Sequence, residues 1–267
     1  MKRVLGLILL MLPLAAFAQS AIDGTWKIDL NKAKMDSKPR VFELKDGMYA
    51  CLTCDAKTKV KADGQEHSVT GSPYASSEKV TIMDPNNVEV VGMKDGKLAF
   101  KADFMVSSDG KTLTRQFEEH PAGSSQVAKS TAVYSRVGEP ETGAHALSGS
   151  WKLDKFEAAS ENWLTFNFAS TGDGLNYKAS TGETYNAKFD GKDYPYQNDP
   201  GTTSVVLKKI DDNTVEETDK RNGQVIAVSK MSVSPDGKSL TMVTEDKLRG
   251  MTDTFVAERQ EKQEAEK

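Results

Sequence analysis

The sequence contains only two cysteines and three histidines among its 267 residues. The histidines, His67, His120 and His145, do not lie at metal-ligand spacing from the cysteine pair, so a zinc site of the usual kind is not expected. The chain also has no Gly-x-Ser-x-Gly elbow, no glycine-rich phosphate loop and no zinc-binding motif. We therefore expect a protein without metal or cofactor that is not an enzyme.

Basic residues are not in excess. Lysine and arginine number 35 against 39 acidic residues, which gives a formal net charge of −4, and no basic cluster is present. A mildly acidic chain is a poor binder of nucleic acid. Beyond the first residues, no segment approaches the roughly 20 apolar residues that a membrane helix requires. The composition thus argues against nucleic-acid binding and against stable membrane insertion.

The N-terminus carries the three parts of a secretory signal peptide. Lys2 and Arg3 precede an apolar run over residues 4–17, and the segment closes on Ala16-Phe17-Ala18, a small-x-small cleavage site. The apolar run is too short to span a bilayer. No cysteine follows the cleavage site, so a lipid anchor there is not expected. We expect cleavage after Ala18 and release into the periplasm or secretion from the cell.

The rest of the chain is an internal duplication. Asx-Gly pairs recur at a constant offset of 127 residues, from Asp46-Gly47 to Asp173-Gly174 and from Asp109-Gly110 to Asp236-Gly237. A Gly-x-Trp motif also occurs twice, at Trp26 and at Trp151. The predicted organisation is a signal peptide at 1–18, a first module at 19–137, a linker at 138–148, a second module at 149–260 and a charged tail at 261–267.

Both modules have the sequence pattern of antiparallel strands. Four Asx-Gly pairs per module predict tight hairpin turns, because a type I′ turn needs positive φ at both central residues. The runs between them alternate with period two, and helix is predicted only at residues 30–35, 155–160 and 258–267. Closure into a barrel hides both edges of such a sheet most completely. The predicted fold class is all-β, with two tandem antiparallel meander β-barrels of about eight strands each.

The start and end of each module resemble lipocalin and related calycin barrels. A Gly-x-Trp motif begins each first strand, and Arg136 and Arg259 stand near the ends of the last strands. In that family the tryptophan packs at the closed end of the barrel under the arginine. The resemblance therefore implies a lipocalin-like fold with Trp26, Arg136, Trp151 and Arg259 in structural roles. The tandem arrangement is also similar to lipocalin-like proteins that many Gram-negative bacteria export.

Cys51 and Cys54 are the most specific chemical feature of the chain. In an oxidising compartment, such a pair indicates a structural disulfide, here bracing a turn between strands. The alternative is a redox-active pair, which would normally begin a helix after a strand, where the thiol pKa is depressed. The aligned residues of the second module are Lys178 and Thr181. That module is therefore expected to fold without a disulfide.

Residues on the apolar faces of the strands are candidates for lining a ligand cavity. They are Phe100, Phe104, Leu113 and Phe117 in the first module and Ala227, Met231, Leu240 and Thr244 in the second. Arg115 lies on the same face as Leu113 and Phe117, and its counterpart is Met242. An inward arginine can bind a ligand carboxylate or an internal glutamate. Alternatively, its stem packs near the barrel mouth while its head reaches water.

Three functions follow from this pattern, because small barrels are either filled by side chains or hold one ligand. The preferred hypothesis is an exported binding protein whose barrels hold a small apolar ligand. The alternative is an envelope structural or protein-interaction module with filled barrels, for which the sequence names no partner. An enzyme without a recognisable motif is the least favoured.

Overall fold

The computed structural model describes residues 20–122 and 124–261, which form an almost entirely β structure. The predicted signal peptide at 1–18 and the end of the charged tail, 262–267, lie outside the described residues. The first ten strands are β1 (Gly24–Ile28), β2 (Arg40–Lys45), β3 (Met48–Cys51), β4 (Lys59–Lys61), β5 (Glu66–Ser68), β6 (Ser77–Asp84), β7 (Asn87–Lys94), β8 (Lys97–Val106), β9 (Thr112–Glu119) and β10 (Ala128–Val137).

The remaining ten strands begin after the predicted linker. They are β11 (Gly149–Ala159), β12 (Thr165–Ser170), β13 (Gly174–Ala179), β14 (Thr184–Lys188), β15 (Tyr194–Gln197), β16 (Ser204–Lys209), β17 (Thr214–Arg221), β18 (Gln224–Val233), β19 (Ser239–Asp246) and β20 (Met251–Gln260). The described helices are a 3-10 turn at Leu30–Lys32 and a four-residue helix, α1, at Glu161–Leu164.

The helix predictions were only partly right. Within 30–35 only Leu30–Lys32 is helical, and the Asp29 side chain caps this 3-10 turn. Residues 155–159 are instead the end of β11, because they continue the ladder to β10 as far as the pair Ser130–Ala159. The strand β20 likewise includes residues 258–260, which pair with β1. Ladder hydrogen bonds from neighbouring strands overrode the local helical tendency.

The twenty strands form two barrel-shaped antiparallel sheets of ten strands each. The first barrel has the order β4-β3-β2-β11-β10-β9-β8-β7-β6-β5, and the second is a closed barrel of β1 and β12–β20. The all-β fold of two antiparallel barrels is therefore confirmed. The strand count is ten rather than about eight, because strands as short as β4, β5 and β15 contain too few residues to show alternation.

The two barrels exchange their first strands. β1 pairs with β12 and β20 of the second barrel, and β11 pairs with β10 and β2 of the first. Each barrel thus combines strands from both sequence repeats, 19–137 and 149–260, rather than one contiguous segment. Residues 29–39 and 160–164 connect the barrels, whereas 138–148 joins β10 to its own neighbour β11.

A buried tryptophan and an arginine form a plug in each barrel. Trp26 and Trp151 are 0% exposed, and each indole N–H donates a 2.8 Å hydrogen bond to the backbone carbonyl four residues earlier. The guanidinium carbon of Arg259 lies 4.2 Å from the Trp26 ring centroid, and that of Arg136 lies 4.1 Å from Trp151. Each guanidinium also donates to three backbone carbonyls. The two partners of each plug therefore come from different repeats.

The eight Asx-Gly pairs differ in backbone conformation. Asp46-Gly47, Asp95-Gly96 and Asn222-Gly223 have positive φ at both residues, as a type I′ turn requires. Four other pairs, at 63–64, 109–110, 190–191 and 236–237, have positive φ only at glycine. Gly174 differs because it lies inside β13, where a Cβ would collide with the β14 backbone at Ala187.

Candidate ligand cavities

The larger cavity, of about 970 Å³, has an extensive apolar wall from the first barrel and extends to the junction, where Asp199, Ala227 and Phe255 of the second barrel also line it. The Phe42 and Phe104 rings meet edge to face with centroids 5.1 Å apart, and the Phe100 and Phe117 rings stack at 5.8 Å. Val90 and Ala102 complete the same wall. Cavities of about 300–1,000 Å³ with aromatic walls and few polar groups are typical small-molecule sites.

Gly92 provides the space that the Phe100 ring occupies. The two residues are cross-strand partners on β7 and β8, and a Cβ on Gly92 would overlap the ring. In the second barrel the corresponding partners are Asp219 and Ala227. In the first barrel the larger side chain of the pair, Phe100, lies on β8, whereas in the second barrel the larger one, Asp219, lies on β17, the counterpart of β7. An apolar ring in one interior is thus replaced by a carboxyl group in the other.

Two arginines point into the apolar surroundings of the first cavity. Arg115 on β9 and Arg40 at the start of β2 both line it. The Nε of Arg115 is buried and has no hydrogen-bond partner among the described residues, and its guanidinium carbon lies 5.0 Å from the Phe117 ring centroid. Burial lowers the pKa of Arg40. Arg115 therefore lies inside the barrel without an internal glutamate as its partner.

Burial raises the pKa of two acids that line this cavity, Glu78 and Glu119, and Glu78 has a neutral partner. Glu78 is 6% exposed and accepts a 3.1 Å hydrogen bond from the Thr58 hydroxyl. Burial also raises the pKa of Tyr49, whose side chain lines the same cavity. The charges of the two arginines are consequently not neutralised by an ion pair with Glu78.

The residues predicted to line a cavity divide into wall and core. Phe100, Phe104, Arg115, Phe117 and Ala227 line the large cavity, Met231 lines a smaller one, and Thr244 lines both. Leu113 and Leu240 are fully buried in the two hydrophobic cores and line neither cavity. Arg40 was missed, although it alternates with Phe42 and Leu44 on one strand face. That spacing was the signal that could have revealed it.

The second barrel holds a smaller cavity of about 390 Å³. Its aromatic wall includes Phe166, Phe168, Tyr177 and Tyr196. The ring of Tyr185 packs behind this wall, 5.1 Å from Tyr177 and 5.6 Å from Tyr196 between centroids. More of this interior is therefore filled by side chains than in the first barrel.

Two half-buried acids that face the interior distinguish the second barrel. Glu217 and Asp219 alternate on β17, and the Tyr185 hydroxyl donates a hydrogen bond to Glu217. Burial raises the pKa of Glu217 to about 7. Burial and the neighbouring charge of Glu217 raise the pKa of Asp219 to about 9. In the first barrel the same positions are Val90 and Gly92, so the two interiors differ in charge as well as in volume.

The two cavities meet at the junction between the barrels. Residues lining both are Tyr74, Glu119, Trp163, Glu183, Asp199, Thr244 and Phe255. An ion pair of 2.7 Å joins Arg221 on β17 to Asp55 in the loop after β3. Trp163, on α1, is thus the one tryptophan outside the plugs and lies beside both cavities.

Cys51 and Cys54 form a disulfide, which confirms this part of the sequence prediction. Their Cα atoms are 5.4 Å apart, Cys51 is the last residue of β3, and no helix follows it. Both residues line the first cavity beside Phe42. This position is that of a brace at a strand end, not of a thiol at the N-terminus of a helix.

Metal ligands are not grouped in the part of the chain that the structure describes. Within 20–122 and 124–261, no three histidine, cysteine or acidic side chains are arranged to hold an ion. His67 contacts Asp63, and His145 contacts the backbone carbonyl of Asp84, both at 2.8 Å. Over the same ranges, no helix has the length and apolar character needed to cross a membrane.

The fold and the cavities are the features of this chain that bear on its function. The Gly-x-Trp motifs, the two arginines that cover them and the strand pairing fit two antiparallel barrel modules. No protein-family model matches the chain, and no curated protein matches its sequence.

Proposed function

We propose that the protein is a lipocalin-like binding protein that holds a small, mainly apolar ligand in the first barrel. The observation that carries this proposal is the cavity of about 970 Å³ walled by Phe42, Phe100, Phe104 and Phe117. Each Å² of apolar ligand surface buried there contributes roughly 25 cal/mol. A cavity of this size favours ligand binding over the alternative, a structural or interaction module with side-chain-filled barrels.

We also propose that the chain is exported and cleaved after Ala18. The charged, apolar and small-x-small parts of residues 1–18 support export. The Cys51–Cys54 disulfide agrees with an oxidising compartment such as the periplasm. Cell fractionation with mass spectrometry of the mature chain tests this: the expected product begins at Gln19 in the periplasm or medium. An uncleaved chain that stays in the cytoplasm contradicts export.

Native mass spectrometry of the purified protein tests ligand binding. The test variant is Ala102→Phe, which introduces a ring into the apolar wall at a residue that is 4% exposed. Its matched control is Ser229→Phe, at the corresponding strand position 127 residues later and in the smaller cavity. We expect a copurified small molecule on the parent and on Ser229→Phe but not on Ala102→Phe.

Tryptophan fluorescence gives a second measurement on the same variants. Trp163 lines both cavities, whereas Trp26 and Trp151 line neither and are fully buried beneath Arg259 and Arg136. Ligand uptake should therefore change the emission of Trp163, and Trp163→Phe should remove the change. If the parent carries no small molecule and takes up no apolar probe, the barrels act as inert modules and the binding function is wrong.

A further inference from the structure

Among the arginines that the structure describes, Arg40 and Arg115 are the two whose guanidinium groups have no hydrogen-bond or ion-pair partner. Arg136 and Arg259 donate to backbone carbonyls in the plugs, and Arg221 is paired with Asp55. Arg249, which also lines the first cavity, is paired with Asp246. Neither Arg40 nor Arg115 makes an ion pair or a side-chain hydrogen bond with any described residue, and the buried Arg115 Nε is unsatisfied.

Arg40 and Arg115 are half-buried overall, but the Arg115 Nε is fully buried and burial lowers the pKa of Arg40. This partial loss of water around two unpaired guanidinium groups has a desolvation cost. Arginine stays protonated in proteins, so it cannot avoid the cost by losing its charge. A buried charge is stable only when it is paired and hydrogen-bonded. The acid that attracts Arg40 is Asp253, but Asp253 is not within ion-pair distance and accepts a 2.8 Å hydrogen bond from the Asp36 backbone N–H. Eight acidic residues line the same cavity, but among the described residues none of them makes an ion pair with Arg40 or Arg115, so both arginines can bind an anion.

We infer that the ligand of the first barrel is an amphipathic anion, with an acidic head group bound by Arg40 and Arg115 and an apolar tail along the phenylalanine wall. This inference rests on the proposed binding function and names the ligand class. The fork of N–H donors on each guanidinium suits a carboxylate, and charge-assisted bonds of this kind are strong. Phe117 next to Arg115 and Phe42 next in alternation to Arg40 begin the apolar surface for the tail.

The second barrel provides an internal comparison. Trp26 pairs with Phe166 where Trp151 pairs with Arg40, so Phe166 is the counterpart of Arg40. The counterpart of Arg115 is Met242. The same barrel position thus lacks both arginines, and the half-buried Glu217 and Asp219 replace the apolar Val90 and Gly92 nearby. One anion per chain, in the first barrel only, is the expected stoichiometry.

Three probes with the same twelve-carbon tail separate head-group recognition from apolar binding. Dodecanoate, dodecanol and dodecylamine are titrated into the full mature chain, followed by Trp163 fluorescence and by calorimetry. We expect dodecanoate to bind at one site and at least ~tenfold more tightly than dodecanol, since hydrogen bonds to charged groups are among the stronger ones. Dodecylamine is expected to bind the most weakly.

Variants assign the preference to the two arginines. Arg115→Met and Arg40→Phe install the residues of the second barrel and should each lower dodecanoate affinity at least ~tenfold, with dodecanol affinity nearly unchanged. Arg115→Lys keeps the positive charge and should retain part of the preference. Arg249→Met removes an arginine that is already paired in the same cavity and is the matched control. Thermal melts confirm that each variant is folded.

The outcomes separate this inference from the proposed function. If dodecanol or dodecylamine binds as tightly as dodecanoate, the anion site is wrong while the apolar cavity is still a binding site. The same conclusion follows if Arg115→Met and Arg40→Phe leave the preference for dodecanoate unchanged. If none of the three probes binds the parent, both the anion site and the proposed binding function are wrong.

Discussion

Replacing Trp26 with alanine tests the strand exchange, because Trp26 belongs to the first repeat by sequence and to the second barrel by strand pairing. Its side chain is 0% exposed and lies under Arg259. Losing a fully buried tryptophan costs about 3–5 kcal/mol. Stacking with Arg259 accounts for roughly 0.5–2 kcal/mol of cation–π attraction. Domains typically have a free energy of unfolding of about 5–15 kcal/mol. In Trp26→Ala the second barrel should therefore unfold locally or have a much lower melting temperature than in the parent.

Hydrogen exchange with mass spectrometry on the full chain locates the damage. In Trp26→Ala, peptides from residues 165–260 should lose protection, whereas peptides from 40–137 should keep it. Trp151→Ala should give the mirror image, because Trp151 plugs the first barrel under Arg136. Arg259→Ala should produce the same pattern as Trp26→Ala at a smaller magnitude.

Trp163→Ala is the control for removing any tryptophan. Trp163 packs against Phe156 with ring centroids 5.6 Å apart but lies outside both plugs. It should therefore matter less than Trp26 or Trp151. Loss of protection in 40–137 upon Trp26→Ala, with 165–260 intact, would show that each Gly-x-Trp strand stays in its own repeat. That result would refute the exchange.

Three further predictions concern pH, autonomy and the disulfide. A carboxyl whose pKa is higher in the folded than in the unfolded protein stabilises the fold fully only below its unfolded pKa, and that stability is lost as the pH rises through the folded pKa. The pKa of Glu217 rises from 4.5 to about 7, and each pKa unit corresponds to about 1.4 kcal/mol. The stability of Glu217→Gln relative to the parent should therefore increase by a few kcal/mol between about pH 4 and about pH 8, as measured by thermal melts. A stability difference that does not change with pH contradicts burial of this acid. Residues 149–260 expressed alone should give a β-type circular dichroism spectrum and a cooperative melt, with β11 taking the place of β1; a disordered fragment would mean that the exchanged strand is obligatory. Native protein should contain no free thiol, and Cys51→Ala with Cys54→Ala should cost only about 2 kcal/mol in denaturant unfolding because the loop is short; strong thiol–disulfide exchange activity would instead support a redox role.

The candidate site was only half visible in the sequence. Period-two alternation placed Arg115, Phe100, Phe104 and Phe117 on the inward face, and they line the cavity. The same alternation could not separate cavity wall from filled core, since Leu113 points inward but is sealed in the core. Whether an inward side chain lines a cavity or packs in the core depends on its position along the barrel axis and on the side chains of neighbouring strands. The sequence of one strand does not contain that information.

The acids of the second barrel show the same limit. Glu216 and Glu217 are adjacent in sequence, and nothing local distinguishes the inner one from the outer. Strand pairing turns Glu217 toward Tyr185, and enclosure by the barrel raises its pKa to about 7. The pKa of such a group is a property of the surrounding interior and not of the strand that carries it.

The sequence by itself determined the strand content, the duplication, the disulfide and the two tryptophan–arginine motifs, because these follow from local alternation, turn residues and covalent chemistry. Only the tertiary structure decided which copy of the first strand enters which barrel. Gly24-Thr25-Trp26 and Gly149-Ser150-Trp151 share the Gly-x-Trp motif, so the motif alone does not choose between Arg136 and Arg259. The choice depends on the chain that follows the motif, because β1 ends at Ile28 before a 3-10 turn, whereas β11 continues to Ala159 along β10.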